Sequence, residues 1–302
     1  MRFGRNYKLT IEIGNNKAIE ISSQSEREQL SYLTVQFDIK RDTTSSTNEG
    51  SFTIYNLNEE HRNILFQDKY NYISKETVNQ TSSKQKRIIF QAGYDNLSTI
   101  FVGSILEASS IKEDTDLLTK IKAFDGGNAI RNSFSSVSFQ AGTTKTELLE
   151  KLANDIKGIQ KGSFGTNTGS FKRGVAMSGN TFTLINRNFN NQAFIDLEKI
   201  NVLAENEVFV GSVVVIDYDT GLLRTPERTG TNVVVEILFE PRIQVGQVVE
   251  IKSVTNTKFN GQYKVVGVKH NGVISQTIDG TCKTILDLFV GTAFLNGLKT
   301  VI

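Results

Sequence analysis

Apolar and polar residues alternate with a period of two over much of this chain. In YKLTIEI (7–13), Leu9, Ile11 and Ile13 alternate with Lys8, Thr10 and Glu12. LTVQFDI (33–39) repeats the pattern with Leu33, Val35, Phe37 and Ile39, and SFTIYN (51–56) sets Phe52 and Ile54 on one face. Successive side chains of a strand point to opposite faces, so the pattern predicts strands with one buried and one wet face. Antiparallel sheets have that habit, whereas buried parallel strands read as continuous apolar runs. RIIFQAGY (87–94), STIFVGSILEASSI (98–111) and LLTKIKAF (117–124) continue the series, with turns at KEDTD (112–116) and AFDGG (123–127). Between them, IKRDTTSSTNEGS (39–51) reads as a long hairpin loop, NLNEEHRNIL (56–65) as a short helix capped by Asn58, and the polar stretch 71–86 as a mobile connection.

The period then changes. TTKTELLEKLANDIKG (143–158) places Leu148, Leu149, Leu152 and Ile156 at helical spacing, with Thr144 and Glu147 as a capping box and Gly158 at the C-terminal cap. KGSFGTNTGSFKRG (161–174) reads as a loop, and NTFTLINRNF (180–189) predicts a second helix. Strands return with EVFVGSVVVIDYDTGLL (207–223), NVVVEILFEP (232–241), QVGQVVEIKSV (244–254), GQYKVVGVKHNGVI (261–274) and TIDGTCKTILDLF (277–289), with an Asn-Gly turn signal in FNGQY (259–263). The fold class is mainly β: a β-domain over 1–130, a helical and loop insert over 131–199, and a second β-domain over 200–302. No tandem repeat of fixed period is visible.

Composition narrows the function. Of 34 basic and 32 acidic residues, 16 and 17 fall in 1–130, 9 and 5 in 131–199, and 9 and 10 in 200–302. No basic stripe of the kind a nucleic-acid binder carries is present. No apolar stretch reaches the length of a membrane helix, and the start, MRFGRNYKLTIEI, lacks the apolar core of a secretory signal. Those two features point to cytoplasmic synthesis and no stable membrane binding.

Candidate chemistry is sparse. Cys282 stands alone and reads as an apolar filler in the final strand. His61 is expected in solvent and His270 at a turn before Asn271-Gly272, too far apart in sequence to suggest a zinc site. Asp217 with Asp219, and Asp114 with Asp116, sit where turns favour Asp, and 165–174 lacks the ending of a phosphate-binding loop. We therefore expect no catalytic, cofactor-binding or metal-binding residues, and no enzyme.

Five stretches taken together carry a resemblance: SFTIYNLNEEHRNIL (51–65), IIFQAGYDNLSTIFVGSILEAS (88–109), TKIKAFDGGNAI (119–130), QAGTTKTELLEKLANDIKG (140–158), and TGLLRTPERTG (220–230) with ILFEPRIQVGQVVEIKS (237–253) and NGQYKVVGVKHNG (260–272). Their order over nearly the whole chain resembles the baseplate hub (tail hub) family of tailed bacteriophages, whose relatives include late-control tail proteins and the hub part of type VI secretion spikes. The resemblance implies two tube-type antiparallel β-barrel or sandwich domains per chain. It also implies a homotrimer forming a pseudo-sixfold ring in the virion tail baseplate, between tail tube or tube-initiator proteins and a central spike or tip protein. Baseplate wedge proteins would be further partners, with DNA present only in transit. A distal tail or tube-initiator protein, and a carbohydrate-binding or glycan-cleaving tail β-protein, are the alternatives. The absence of Trp argues against a sugar platform.

Overall fold

The computed structural model describes residues 4–14, 17–23, 33–44, 47–66, 86–165, 169–211, 213–275, 280–289 and 299–301. The stretch expected to be mobile, 71–86, lies outside them except for Lys86. The first third of the chain forms β1 (Asn6–Gly14), β2 (Lys17–Ser22), β3 (Val35–Asp42), β4 (Glu49–Tyr55), helix α1 (Glu59–Leu65), β5 (Arg87–Gly93), β6 (Leu97–Glu113) and β7 (Asp116–Phe124). The middle forms α2 (Gly127–Asn132), β8 (Phe134–Phe139), α3 (Lys145–Asp155), β9 (Gln160–Phe164), β10 (Val175–Asn180), α4 (Thr181–Asn188), β11 (Ala193–Asp196) and β12 (Lys199–Val202). The last third forms β13 (Glu207–Phe209), β14 (Val214–Asp217), β15 (Glu227–Thr229), β16 (Asn232–Leu238), β17 (Val248–Lys252), β18 (Gly261–Ile274), β19 (Cys282–Phe289) and β20 (Lys299–Val301). The fold is mainly β, as the alternation requires.

Thirteen strands make one sheet in the order β15-β16-β19-β18-β3-β4-β7-β6-β5-β1-β2, with β17 also on β18 and β14 on β17. Within it, β3-β4-β7-β6-β5 and β15-β16-β19-β18-β17 have the same connectivity. In each set the long strand pairs with the strand before it through its first half and then runs on past it. A bulge follows that switch in both, at Leu106 in β6 and at Val266 in β18. The two sets join where the continuing half of β18 pairs antiparallel with β3, from Gly267↔Asp42 to Ile274↔Val35.

Three apolar clusters lie behind this frame. The first is built mainly from β1–β7, and its Phe90 ring lies 5.2 Å from that of Phe37 and 5.1 Å from that of Phe52. The second is mostly aliphatic, with Val233, Val235, Val249, Val265, Leu286 and Leu288. The third sets Leu148, Leu149 and Leu152 of α3 against Phe182 and Ile185 of α4. Burying a side chain of this size contributes roughly 1.5–3 kcal/mol. The α3 capping box is formed, with Thr144 accepting from Glu147 N and Glu147 accepting from Thr144 N, and Asn180 caps α4.

Structure and expectation differ at several points. The middle segment carries its two expected helices but adds strands. Residues 161–164, expected in a loop, belong to β9, because β12 offers them a parallel partner. Asn271-Gly272 is not a turn: His270 pairs with Ile39 on one side and Thr284 on the other, so the chain runs straight through. Gly272 is required there, since a Cβ would lie 2.4 Å from Cys282 Sγ. His61, expected in solvent, shares a helix face with buried Leu65, and its Nδ1 is buried with no hydrogen-bond partner among the described residues.

Candidate functional site

The period-two pattern that buries one side of each strand leaves the other side of the joined sheet wet from β16 to β6. Cross-strand ion pairs cover this face: Lys283–Glu236 at 3.0 Å, Lys269–Asp38 at 2.9 Å, Lys122–Glu49 at 2.8 Å and Lys120–Glu113 at 3.3 Å. Glu236 also meets Arg224 at 3.6 Å, and Lys40 meets Asp42 at 3.8 Å. Exposed pairs of this kind contribute less than about 1 kcal/mol each. Their consequence is electrical: positive and negative groups are interspersed across two β-modules, and even where Lys269 stands opposite Lys40 each has a carboxylate within reach, Asp38 and Asp42.

The same sheet has unfinished edges. β6 pairs with β5 only as far as Ser104, and from Leu106 to Glu113 no described strand lies on that side. Its far end is exposed, and Ile111 is 40% exposed. At the other limit β15 pairs, among the described strands, only with β16, and all three of its residues are exposed. Unpaired N–H and C=O groups in a row are a template for pairing with another chain.

A buried polar cluster fixes the middle segment against the first module. Arg41 sits at the apolar phase of β3, after Val35, Phe37 and Ile39, and is 1% exposed. Its Nε and Nη2 donate to Asp196 Oδ1 and Oδ2 at 2.7 and 2.5 Å, a bidentate pair at the tip of β11. Asn48 Nδ2 donates to Ile195 O at 2.9 Å and to Asp196 Oδ1 at 3.1 Å. The β11–β12 turn places Leu197 and Glu198 at φ +53° and +57°, a left-handed pair that non-glycine residues disfavour. It is held by Asp125 Oδ1, which accepts from Glu198 N at 2.9 Å, and by Arg87, whose Nη2 lies 2.7 Å from Glu198 Oε2. Burial, with the Asp196 charge behind it, pushes the Asp125 carboxyl well above the usual carboxylate range. Burial opposes the Arg41 cation, but Asp196 and Asp125 outweigh it and hold the guanidinium charged.

Next to this cluster, His270 is fully buried. Its Nδ1 lies 2.9 Å from Thr284 Oγ1, and its Nε2 has no hydrogen-bond partner among the described residues. Burial and the nearby Arg41 push its pKa down to about 3, so the ring stays neutral.

None of the candidate chemistry converges. Cys282 is buried, donates to Val273 O and lies in β19. Asp217 Oδ1 accepts from Thr220 N at 2.7 Å, and Asp116 accepts from Asn56, both at strand ends beside turns. Among the described residues no three His, Cys, Asp or Glu side chains cluster to hold a metal, and no helix is long and apolar enough to cross a membrane. An open cleft of about 520 Å³ lies beside the β11–β12 turn, lined in part by Lys161, Lys199, Asn201, Gln244, Gln247 and Asp196, the last already engaged by Arg41.

Comparison with known proteins assigns this frame. A family model described as "Baseplate hub gp41" matches residues 10–275, most of the chain. The chain belongs to the baseplate hub gp41 family. This hub protein is similar in fold to a tail protein from Neisseria meningitidis MC58, with a TM-score of 0.61, 10% identity, and 96% of this chain and 98% of that one covered. It is similar also to the 43 kDa tail protein of prophage MuSo2 from Shewanella oneidensis, with a TM-score of 0.58, 7% identity, and 95% and 97% covered. A third similar structure is an Escherichia coli protein described as a component of the type VI secretion system resembling the T4 bacteriophage tail proteins gp27 and gp5. There the TM-score is 0.54 at 9% identity, with 85% and 73% covered. No curated protein matches by sequence. The hub protein is thus a phage-tail baseplate structural protein.

Sequence reasoning found the strands and missed the buried cluster. Its one available signal was Arg41, a charge on the apolar phase of an alternating strand.

Proposed function

We propose that three copies of the hub protein close into a pseudo-sixfold ring that joins the tail tube, or its initiator, to the central spike or tip. In this reading residues 1–130 and 200–302 act as two tube-type units and 131–199 as the insert between them. The wet face of the joined sheet lines the channel that DNA crosses. Baseplate wedge proteins pack outside, the ring resides in the virion tail, assembly takes place in the host cytoplasm, and the chain performs no catalysis. The observation that carries the reading is the β3–β18 pair: one chain already splices two modules of like connectivity into a single sheet, edge to edge. Repeating that operation between chains generates a closed wall. The balanced ion pairs support a channel, since phosphate neutralisation by a basic lining would create affinity and retard DNA.

Light scattering on the purified full chain tests the reading. The expected species has three times the 33.6 kDa chain mass. A strict monomer, alone and with its tube and spike neighbours added, would overturn it.

A further inference from the structure

The two modules match residue by residue. Across β6, β7, β4 and β3 one row of the first module reads Ser104–Phe124–Glu49–Lys40. Across β18, β19, β16 and β15 the second reads Lys264–Phe289–Asn232–Thr229. Ser104 and Lys264 are each the last residue to pair with the preceding strand, opposite Arg87 and Val248. The bulged Leu106 and Val266 then fall at the same place in each module. β18 is therefore β6 with 160 added to each number, and β15 is β3 with 189 added, around these rows.

One edge of this repeat is filled and its equivalent is empty. The continuing half of β18 carries β3 on its open side, with Lys269 opposite Lys40. The continuing half of β6 pairs with no strand there among the described residues, and neither does the open side of β15. Translating the filled junction by the two offsets places Ser109 opposite Thr229, Ser110 opposite Arg228 and Ile111 opposite Glu227.

We infer that the distal half of β6, residues 107–113, pairs antiparallel with residues 225–231 of a second copy of this chain, Ser109 facing Thr229. The inference rests on the ring reading and adds its register. The occupant is another copy because the missing partner of β6 has the shape of β3, and only β15 among the described strands occupies the position equivalent to β3. The stagger agrees with closure. From Lys264 to Lys269 the row advances four ladder positions across the four strands of a module, once the bulged Val266 is discounted. One residue of stagger per strand is the ratio of an eight-stranded barrel of shear eight, whose strands tilt by about 36°. The pairing would cover Ile111, which a single copy leaves in water.

Paired cysteines test the register in the full chain. Opposed positions on adjacent antiparallel strands lie within disulfide reach, whereas a slip of one residue turns the two side chains to opposite faces. Ser109→Cys with Thr229→Cys should cross-link copies under mild oxidation into a ladder ending at three. Ser109→Cys with Arg228→Cys should cross-link at least about tenfold less, given its opposite facing. All three positions are part-exposed or exposed, so the fold should tolerate them. Amide exchange on the unmodified chain gives a second readout: residues 107–113 should exchange about tenfold more slowly in the assembled ring than after dissociation. A trimer by mass that cross-links equally in both variants, or in neither with 107–113 unprotected, would overturn the register and leave the ring standing. A monomer would overturn both.

Discussion

The modules β3–β7 and β15–β19 share a path and differ in what fills them. The first is aromatic: Phe52 lies between Phe90 and Phe101, with ring centres 5.1 and 5.7 Å away. The second is aliphatic, and Val235 stands at the position equivalent to Phe52. Bulk has also changed places. Phe101 lies over Gly50 and Gly103, where an added Cβ would sit 2.9 Å from its ring. In the second module Gly261 stands for Phe101, while Val233 and Tyr263 stand for the two glycines. A sheet specifies how much volume must lie behind it, not which strand supplies that volume, so one architecture persists without a shared sequence. The Arg41 cluster has no counterpart at the equivalent place in the second module, where Arg41 corresponds to Gly230.

That asymmetry can be broken most severely at the cluster. Arg41→Ala leaves Asp196 buried without its cation and should cost about 3–5 kcal/mol, read by denaturant unfolding. A cost under 1 kcal/mol would mean that the clamp is dispensable. The core comparison comes next. Phe52→Ala should cost about 3–5 kcal/mol and Val235→Ala roughly 1.5–3 kcal/mol, because the aromatic site loses more contacts and leaves the larger cavity. Equal costs would erase the difference between the two cores.

The smallest effect is the pH dependence of the junction. The unfolded chain protonates His270 near its ordinary value of 6.5, whereas the folded chain resists until about 3. Stability from this group is therefore full above pH 6.5 and is lost as pH falls toward 3, by at most about 1.4 kcal/mol per pH unit. Asp125 works in the opposite sense: its raised pKa means that the folded state gains a proton first, and acidification stabilises it. His270→Gln removes the first effect and leaves the second. Between pH 7 and 5 the variant should lose about 2 kcal/mol less unfolding free energy than the parent, measured by urea titration at each pH. An unchanged profile would show that the His270 ring is not held neutral.

The alternating strands, the helix caps at Asn58 and Thr144, and the resemblance of the ordered motifs were all legible in the sequence, because period and caps depend on residues close together along the chain. The resemblance implied two like domains, but their residue-by-residue correspondence was not legible, since insertions move the offset from 160 to 189 residues and core volume is traded between strands. Nor was the Arg41–Asp196 pair, whose members stand 155 residues apart. Asn271-Gly272 carries a strong local preference for a turn, yet strands on both sides hold it extended. By itself, then, the sequence determined that this chain folds as antiparallel sheet with wet and dry faces and belongs among tail hubs. Only the tertiary structure decided which edges meet, because edge pairing joins backbone to backbone and writes almost nothing into the side chains that sequence records.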